Sequence, residues 1–90
     1  MPKVRFTTAL NRFFPSLRES SFEGESVNEV FNNIEAAHPG LKDYLLDEQG
    51  QLRQHINVFV RGELISDRLS LSDTVEEQDE ILVFQALSGG

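Results

Sequence analysis

The chain of 90 residues has no cysteine and no tryptophan, one methionine, one tyrosine and three prolines. Without cysteine there is no disulfide framework, no thiolate zinc site and no catalytic thiol. Basic residues are scarce, eight Lys and Arg against fifteen Asp and Glu, which leaves a net charge of −7 and only Lys3 and Lys42 as lysines. Nucleic-acid binding, which needs clustered cations against phosphate, is therefore not expected. No apolar run approaches the ~20 residues of a membrane span. The opening "MPKVRF" lacks the apolar stretch of a secretory signal, so a cytoplasmic protein with no membrane role is expected. No glycine-rich phosphate loop, nucleophile elbow or metal-spaced histidine pair occurs. His38 and His55 read as surface histidines, no metal site is expected, and neither an enzyme nor a resident cofactor is.

What is present is ordinary globular composition, 39% hydrophobic and 26% charged, in a length that suits one domain. A chain of this size buries about 60–65% of its unfolded surface, so the core has to be economical. "KVRFTTAL", residues 3–10, alternates with Val4, Phe6 and Thr8 on one side and Arg5 and Thr7 on the other, the period of a strand. "NRFFPSLRES" is a loop around Pro15, and "SSFEG", residues 20–24, is a second strand completing a hairpin.

"SVNEVFNNIEAAHPG" predicts a helix. Ser26 is an N-cap and Glu29 completes a capping box. Val27, Val30, Phe31, Ile34 and Ala37 make one apolar face, and Pro39-Gly40 ends it. A short helical turn follows through Leu41, Leu45 and Leu46, then a loop around Gly50. "QHINVFV" places Ile56, Val58 and Val60 on one side of a strand and His55, Asn57 and Phe59 on the other. "RGE" turns into a short edge strand, "LIS". An irregular connection anchored by Leu69, Leu71 and Val75 leads through the acidic run "EEQDE", read as a solvated turn, to a last strand, "EILVFQA". The first and last strands are the most apolar and are expected side by side in the middle. The fold class is α+β: a mixed sheet of four to five strands, one main helix on one face, of the β-grasp kind.

Phe59, Leu82 and Phe84 point away from that helix. An exposed apolar patch marks a docking surface, with Asn57, Arg61, Arg5 and Thr7 as its polar rim. The bland alternative is burial of the strand on both sides by the 61–75 connection. The net negative charge favours solubility and, more specifically, a partner with a basic docking surface.

The chain then ends "QALSGG", residues 85–90. Glycine has no side chain to pack and is costly to order. Gly89 and Gly90, on a tether of Ala86, Leu87 and Ser88, suit threading of an extended backbone down a narrow channel, with a carboxylate at the tip open to adenylation. The expected organisation is a β-grasp domain over 1–85 and a flexible Gly-Gly tail over 86–90.

With these residues in hand, the sequence resembles the ubiquitin-like sulfur carriers of the MoaD/ThiS family across nearly the whole chain. The resemblance is strongest in "HINVFVRGE" and "LSLSDTVEEQDEILVFQALSGG". The stretch "VFNNIEAAHPGLKDYLLDEQGQLRQHINVFV" is similar to the longer, cysteine-biosynthesis type of carrier and to related small archaeal modifiers. Two positions depart from the family pattern. Gln78 stands where glycine usually precedes Asp79, so the turn there must tolerate a side chain. Gln85 stands where the last strand usually ends in proline, which restores a backbone donor and loosens the exit of the tail.

The resemblance implies that an E1-like enzyme with MgATP adenylates the Gly90 carboxylate. Sulfur from a persulfide or sulfide displaces AMP, and a second, sulfur-accepting enzyme takes the resulting thiocarboxylate sulfur into cysteine, molybdopterin or thiamine type biosynthesis. Gly90 and Gly89 would carry the function, and Phe59, Leu82 and Phe84 would dock partners, on a chain that is monomeric when free. Two other readings compete: a ubiquitin-like modifier joined through Gly90 to target lysines, and a pure interaction module whose glycines are incidental.

Overall fold

The computed structural model describes residues 1–6 and 20–85. Within them the elements run β1 (Lys3–Phe6), β2 (Ser20–Ser21), α1 (Val27–Ala37), α2 (Leu41–Leu45), β3 (Ile56–Val60), β4 (Glu63–Leu64) and β5 (Glu80–Gln85). The strands form one sheet in the order β2-β1-β5-β3-β4. β1 and β5 are parallel neighbours, with Val4 beside Ile81 and Phe6 beside Val83. β3 lies antiparallel on the other side of β5, with Val58 beside Val83 and Val60 beside Ile81. The last strand is therefore central and β1 adjoins it, as the apolar character of both predicts. β4 is an edge strand, and β2 pairs antiparallel with β1.

α1 forms where its cap and spacing call for it. The Ser26 hydroxyl accepts from the Glu29 amide at 3.2 Å, satisfying one of the orphan donors of the first turn. Val27, Val30, Phe31 and Ile34 are almost wholly buried against the sheet. Ala37 is exposed, in contrast to its place on the predicted face, because the helix ends there and His38 is already its C-cap. The Glu35 carboxylate then accepts from the Gly40 amide at 3.0 Å and the Lys42 amide at 2.9 Å, joining α1 to the start of α2. Those two amides hold the Glu35 carboxyl below its ordinary pKa.

Alternation along the strands fills the core: Val4, Ile56, Val58, Ile81 and Val83 are fully buried. Arg61 and Gly62 link β3 to β4 in two residues, both at positive φ (55° and 79°), the geometry of a tight hairpin turn matched to strand twist. The 61–75 connection contributes Ile65, Leu71 and Val75 to the core, but Leu69 is 63% exposed and is no anchor. It sits in a turn drawn outward by Asp67, whose carboxylate accepts from the Leu69 and Ser70 amides, both at 3.0 Å.

The acidic run is solvated at Glu76 and Glu77, whereas Asp79 is buried. Its carboxylate accepts from the Glu76 amide at 2.7 Å and pairs with Arg61, so this acid closes a turn instead of facing water. Gln78 has no positive φ, and the turn tolerates its side chain as expected. His38 is half-buried with its ring edge-on to Phe22 at 6.4 Å, while His55 is exposed.

Candidate functional site: the outer sheet face and the end of the central strand

Residues of β5 alternate between the two faces. Ile81 and Val83 point into the core, and Leu82 and Phe84 point to the opposite face, which no helix among the described residues covers. Register brings the three predicted docking residues together there. Phe59 is the cross-strand partner of Leu82, and Asn57 is the partner of Phe84. Such directly opposed side chains are in contact range. Phe84 is 40% exposed, and Phe59 and Leu82 are half-buried.

Leu64 extends the patch. It is opposite Phe59 across the β3–β4 hairpin and 52% exposed. The sequence reading missed it because an edge strand only two residues long carries no alternation. Counting back across the two-residue Arg61-Gly62 turn would have paired it with Phe59.

Three of the rim residues are engaged by neighbouring side chains. Arg5 lies beside Leu82 and pairs with Glu80 at 3.4 Å. The side-chain oxygen of Asn57 accepts from Arg68 at 3.1 Å. Arg61 sits in the hairpin turn and reaches Asp79. Thr7 lies outside the described residues, as do Ala86, Leu87, Ser88, Gly89 and Gly90.

The last described residue, Gln85, is the root of that terminal segment. It pairs with Ile56 and sits in line with Val83 and Ile81 on the helix side of the sheet. Its side-chain oxygen accepts a hydrogen bond from the Tyr44 hydroxyl at 3.1 Å. The loosening expected of Gln85 is thus opposed by its own side chain, which a residue 41 positions earlier holds.

The start of β3, directly alongside, is held by Arg68, which donates to the carbonyls of Arg53 at 2.7 Å and Ile56 at 2.8 Å. Arg68 is aimed by the loop that carries it. Asp67 gathers the Ser72 hydroxyl at 2.5 Å and the Leu69, Ser70 and Ser72 amides, while Asp73 accepts from the Ser66 and Asp67 amides. The Ser72 hydroxyl, followed by the Ser70 and Ser72 amides, holds the Asp67 carboxyl down at a pKa of about 2. Among the described residues, no group of three or more His, Cys, Asp or Glu side chains is gathered to hold a metal, and no helix is long and apolar enough to cross a membrane.

Residues 5–90 match the ThiS family. The chain belongs to that family. It is 24% identical over 89 residues to the sulfur carrier protein CysO of Mycobacterium tuberculosis, covering 97% of this chain and 96% of CysO. It is 31% identical over 65 residues to the small archaeal modifier protein 1 of Haloferax volcanii, covering 72% of this chain and 70% of that one. A chain of the crystal structure of the Amycolatopsis orientalis BexX/CysO complex superposes with a TM-score of 0.85 at 27% identity, each chain covered in full. The mixed five-stranded sheet with its packed helix is therefore a ubiquitin-like β-grasp fold, as the alternation pattern and the long amphipathic helix α1 indicate.

Proposed function

We propose that this ThiS-family chain is a sulfur carrier whose Gly90 carboxylate is the site of loading. The observation that carries the reading is the family match, which runs through Gly89 and Gly90. The fold supports it, since the central strand leads directly into that segment. In this mechanism an E1-like enzyme with MgATP joins the Gly90 carboxylate to AMP and releases pyrophosphate. The acyl adenylate is an activated electrophile. Hydrosulfide attacks its carbonyl carbon, the bond to AMP breaks, and a C-terminal thiocarboxylate remains.

A sulfur-accepting biosynthetic enzyme then takes the sulfur. Glycines at the tip allow the backbone into a narrow channel that a side chain would block. No cysteine is needed, because the sulfur rides on the chain terminus. Residues 1–85 act as the handle, with Phe59, Leu82 and Phe84, joined by Leu64, as the docking patch. A solved relative is described in a complex with BexX, a partner-bound carrier of the same fold. The net charge of −7 suits an activating enzyme with a basic surface.

A second reading is supported by the 31% identity to a small archaeal modifier. Here the same activated Gly90 is passed to a lysine of a target protein. The two share the activation step and differ only in the acceptor.

Intact mass after incubation with an E1-like adenylating enzyme, ATP and sulfide separates them. The carrier gains one sulfur in place of one oxygen, and deletion of Gly90 abolishes the gain. Higher-mass conjugates in extract that vanish with Gly90 establish the modifier, and absence of both products with a competent enzyme refutes both. In the same assay Phe84→Asp lowers kcat/KM for activation about tenfold, the consequence of losing ~1.4 kcal/mol of apolar contact in the complex.

A further inference from the structure

Five residues, Ala86 to Gly90, follow Gln85. Fully extended they span at most about 17 Å, so a change of ~20° in direction at residue 85 displaces the terminal carbon by about 6 Å. A tip spread over such distances has to be ordered when an enzyme binds it, and that ordering costs affinity. The direction in which the chain leaves β5 is therefore a determinant of activation. Glutamine has no ring to fix φ at this point, so the constraint has to come from contacts.

The structure supplies such a contact from a well-anchored source. Tyr44 lies on α2 between the buried Leu41 and Leu45, and its half-buried ring packs on the core. α2 is itself fastened at both ends. Glu35 holds the Gly40 and Lys42 amides at its start. The Arg53 amide donates to the Leu45 carbonyl at 3.0 Å, and the Arg53 guanidinium to the Asp43 carbonyl at 3.1 Å. The hydroxyl is thus presented by packing, not by a swinging surface side chain, and it meets the Gln85 carboxamide at 3.1 Å.

We propose that the Tyr44 hydroxyl and the Gln85 carboxamide form a clasp that sets the direction in which the C-terminal segment leaves the fold. Both are then positioning residues for activation at Gly90, an inference that rests on the Gly90 reading above. The end of β5 is then held on a fixed bearing at Gln85, the point from which an activating enzyme has to take up the chain. Pre-aiming lowers the ordering cost of binding and does not alter the chemistry once the tail is gripped. The clasp acts on kcat/KM and leaves kcat alone.

Three variants test this. Tyr44→Phe removes the hydroxyl and keeps the packing ring; Gln85→Ala removes the acceptor; Gln85→Glu keeps an acceptor at the same reach. The free protein is followed by 15N heteronuclear NOE at Ala86 and Leu87, and activation by pyrophosphate release with an E1-like adenylating enzyme. Tyr44→Phe and Gln85→Ala are expected to lower the NOE and to reduce kcat/KM about three- to tenfold with kcat unchanged. Gln85→Glu should stay near the parent in both, and Tyr44→Phe combined with Gln85→Ala should be no worse than either alone.

Unchanged NOE values in both single variants overturn the clasp. Lowered NOE with kcat/KM intact overturns its role in activation. If the parent protein is not adenylated at all, the Gly90 reading fails, and the relaxation data decide the clasp by themselves.

Discussion

Gly24 shows how little freedom one backbone position has here. Its φ is +152°, and a Cβ placed on it would lie 2.6 Å from Val30 Cγ2 and 2.7 Å from the Val30 backbone nitrogen. The nitrogen belongs to the first turn of α1 and cannot swing aside. Nor can residues 23–25 retreat, because Asn33 donates to the Glu23 carbonyl at 2.7 Å and the Val75 amide to the Glu25 carbonyl at 2.9 Å. Gly24→Ala is expected to cost about 1–3 kcal/mol, in the range of overpacking a tight site. Urea denaturation of the variant measures it, and a midpoint equal to the parent's would contradict the contact. The buried Asp79 makes the same point from the polar side. Nothing in "EEQDE" distinguishes it from its neighbours, yet the fold turns this one acid inward onto Arg61 and the Glu76 amide.

At the scale of the element, the 66–73 loop sends Leu71 into the core and is otherwise organised by the carboxylates of Asp67 and Asp73. Asp67 remains ionised in the fold to a pKa of about 2, against 3.8 for an unhindered aspartate. Its contribution to stability is complete above pH ~4 and is lost as pH falls through 3.8 toward 2, because the unfolded chain takes up the proton first. Asp67→Asn should therefore flatten the stability profile across that window. Denaturation midpoints at pH 5 and pH 2.5 read the effect. An acid slope equal to the parent's would remove Asp67 from the account, and Glu35, lowered in the same sense, leaves a residual slope in the variant.

The elements that were legible in the sequence carry repeated local signals. α1 has a cap, a capping-box acid and four buried apolar residues at helical spacing; β3 and β5 have unbroken alternation, which also put Phe59, Leu82 and Phe84 on one face. What escaped depends on tertiary placement. The Tyr44–Gln85 contact joins two residues that no pattern links. Leu69 matches its apolar neighbours by type and differs only in how Asp67 bends the backbone beneath it. The edge strands are two residues each, too short for any period to register.

For the molecule as a whole, the parts are distributed by face and by end. Among the described residues the helices cover one side of the sheet, the other presents Phe84 and Leu64, and a cleft lined by Glu23, Glu25, Glu76 and Glu77 lies near the N-terminus. The parallel pairing of β1 with β5 has a mechanical consequence. Both strands run the same way, Lys3 beside Glu80 and Phe6 beside Val83. Tension between Met1 and the chain beyond Gln85 slides them past one another, so the hydrogen bonds of the pair bear the load together. Tension between His55 and that same end instead pulls on Ile56 and Gln85, which are opposed at one extremity of an antiparallel pair, and opens the ladder one rung at a time. Single-molecule pulling should give the larger rupture force in the first geometry, and equal forces would refute the assignment. End-to-end tension is thus carried in shear across the β1–β5 pair, and not by a ladder that opens from one extremity.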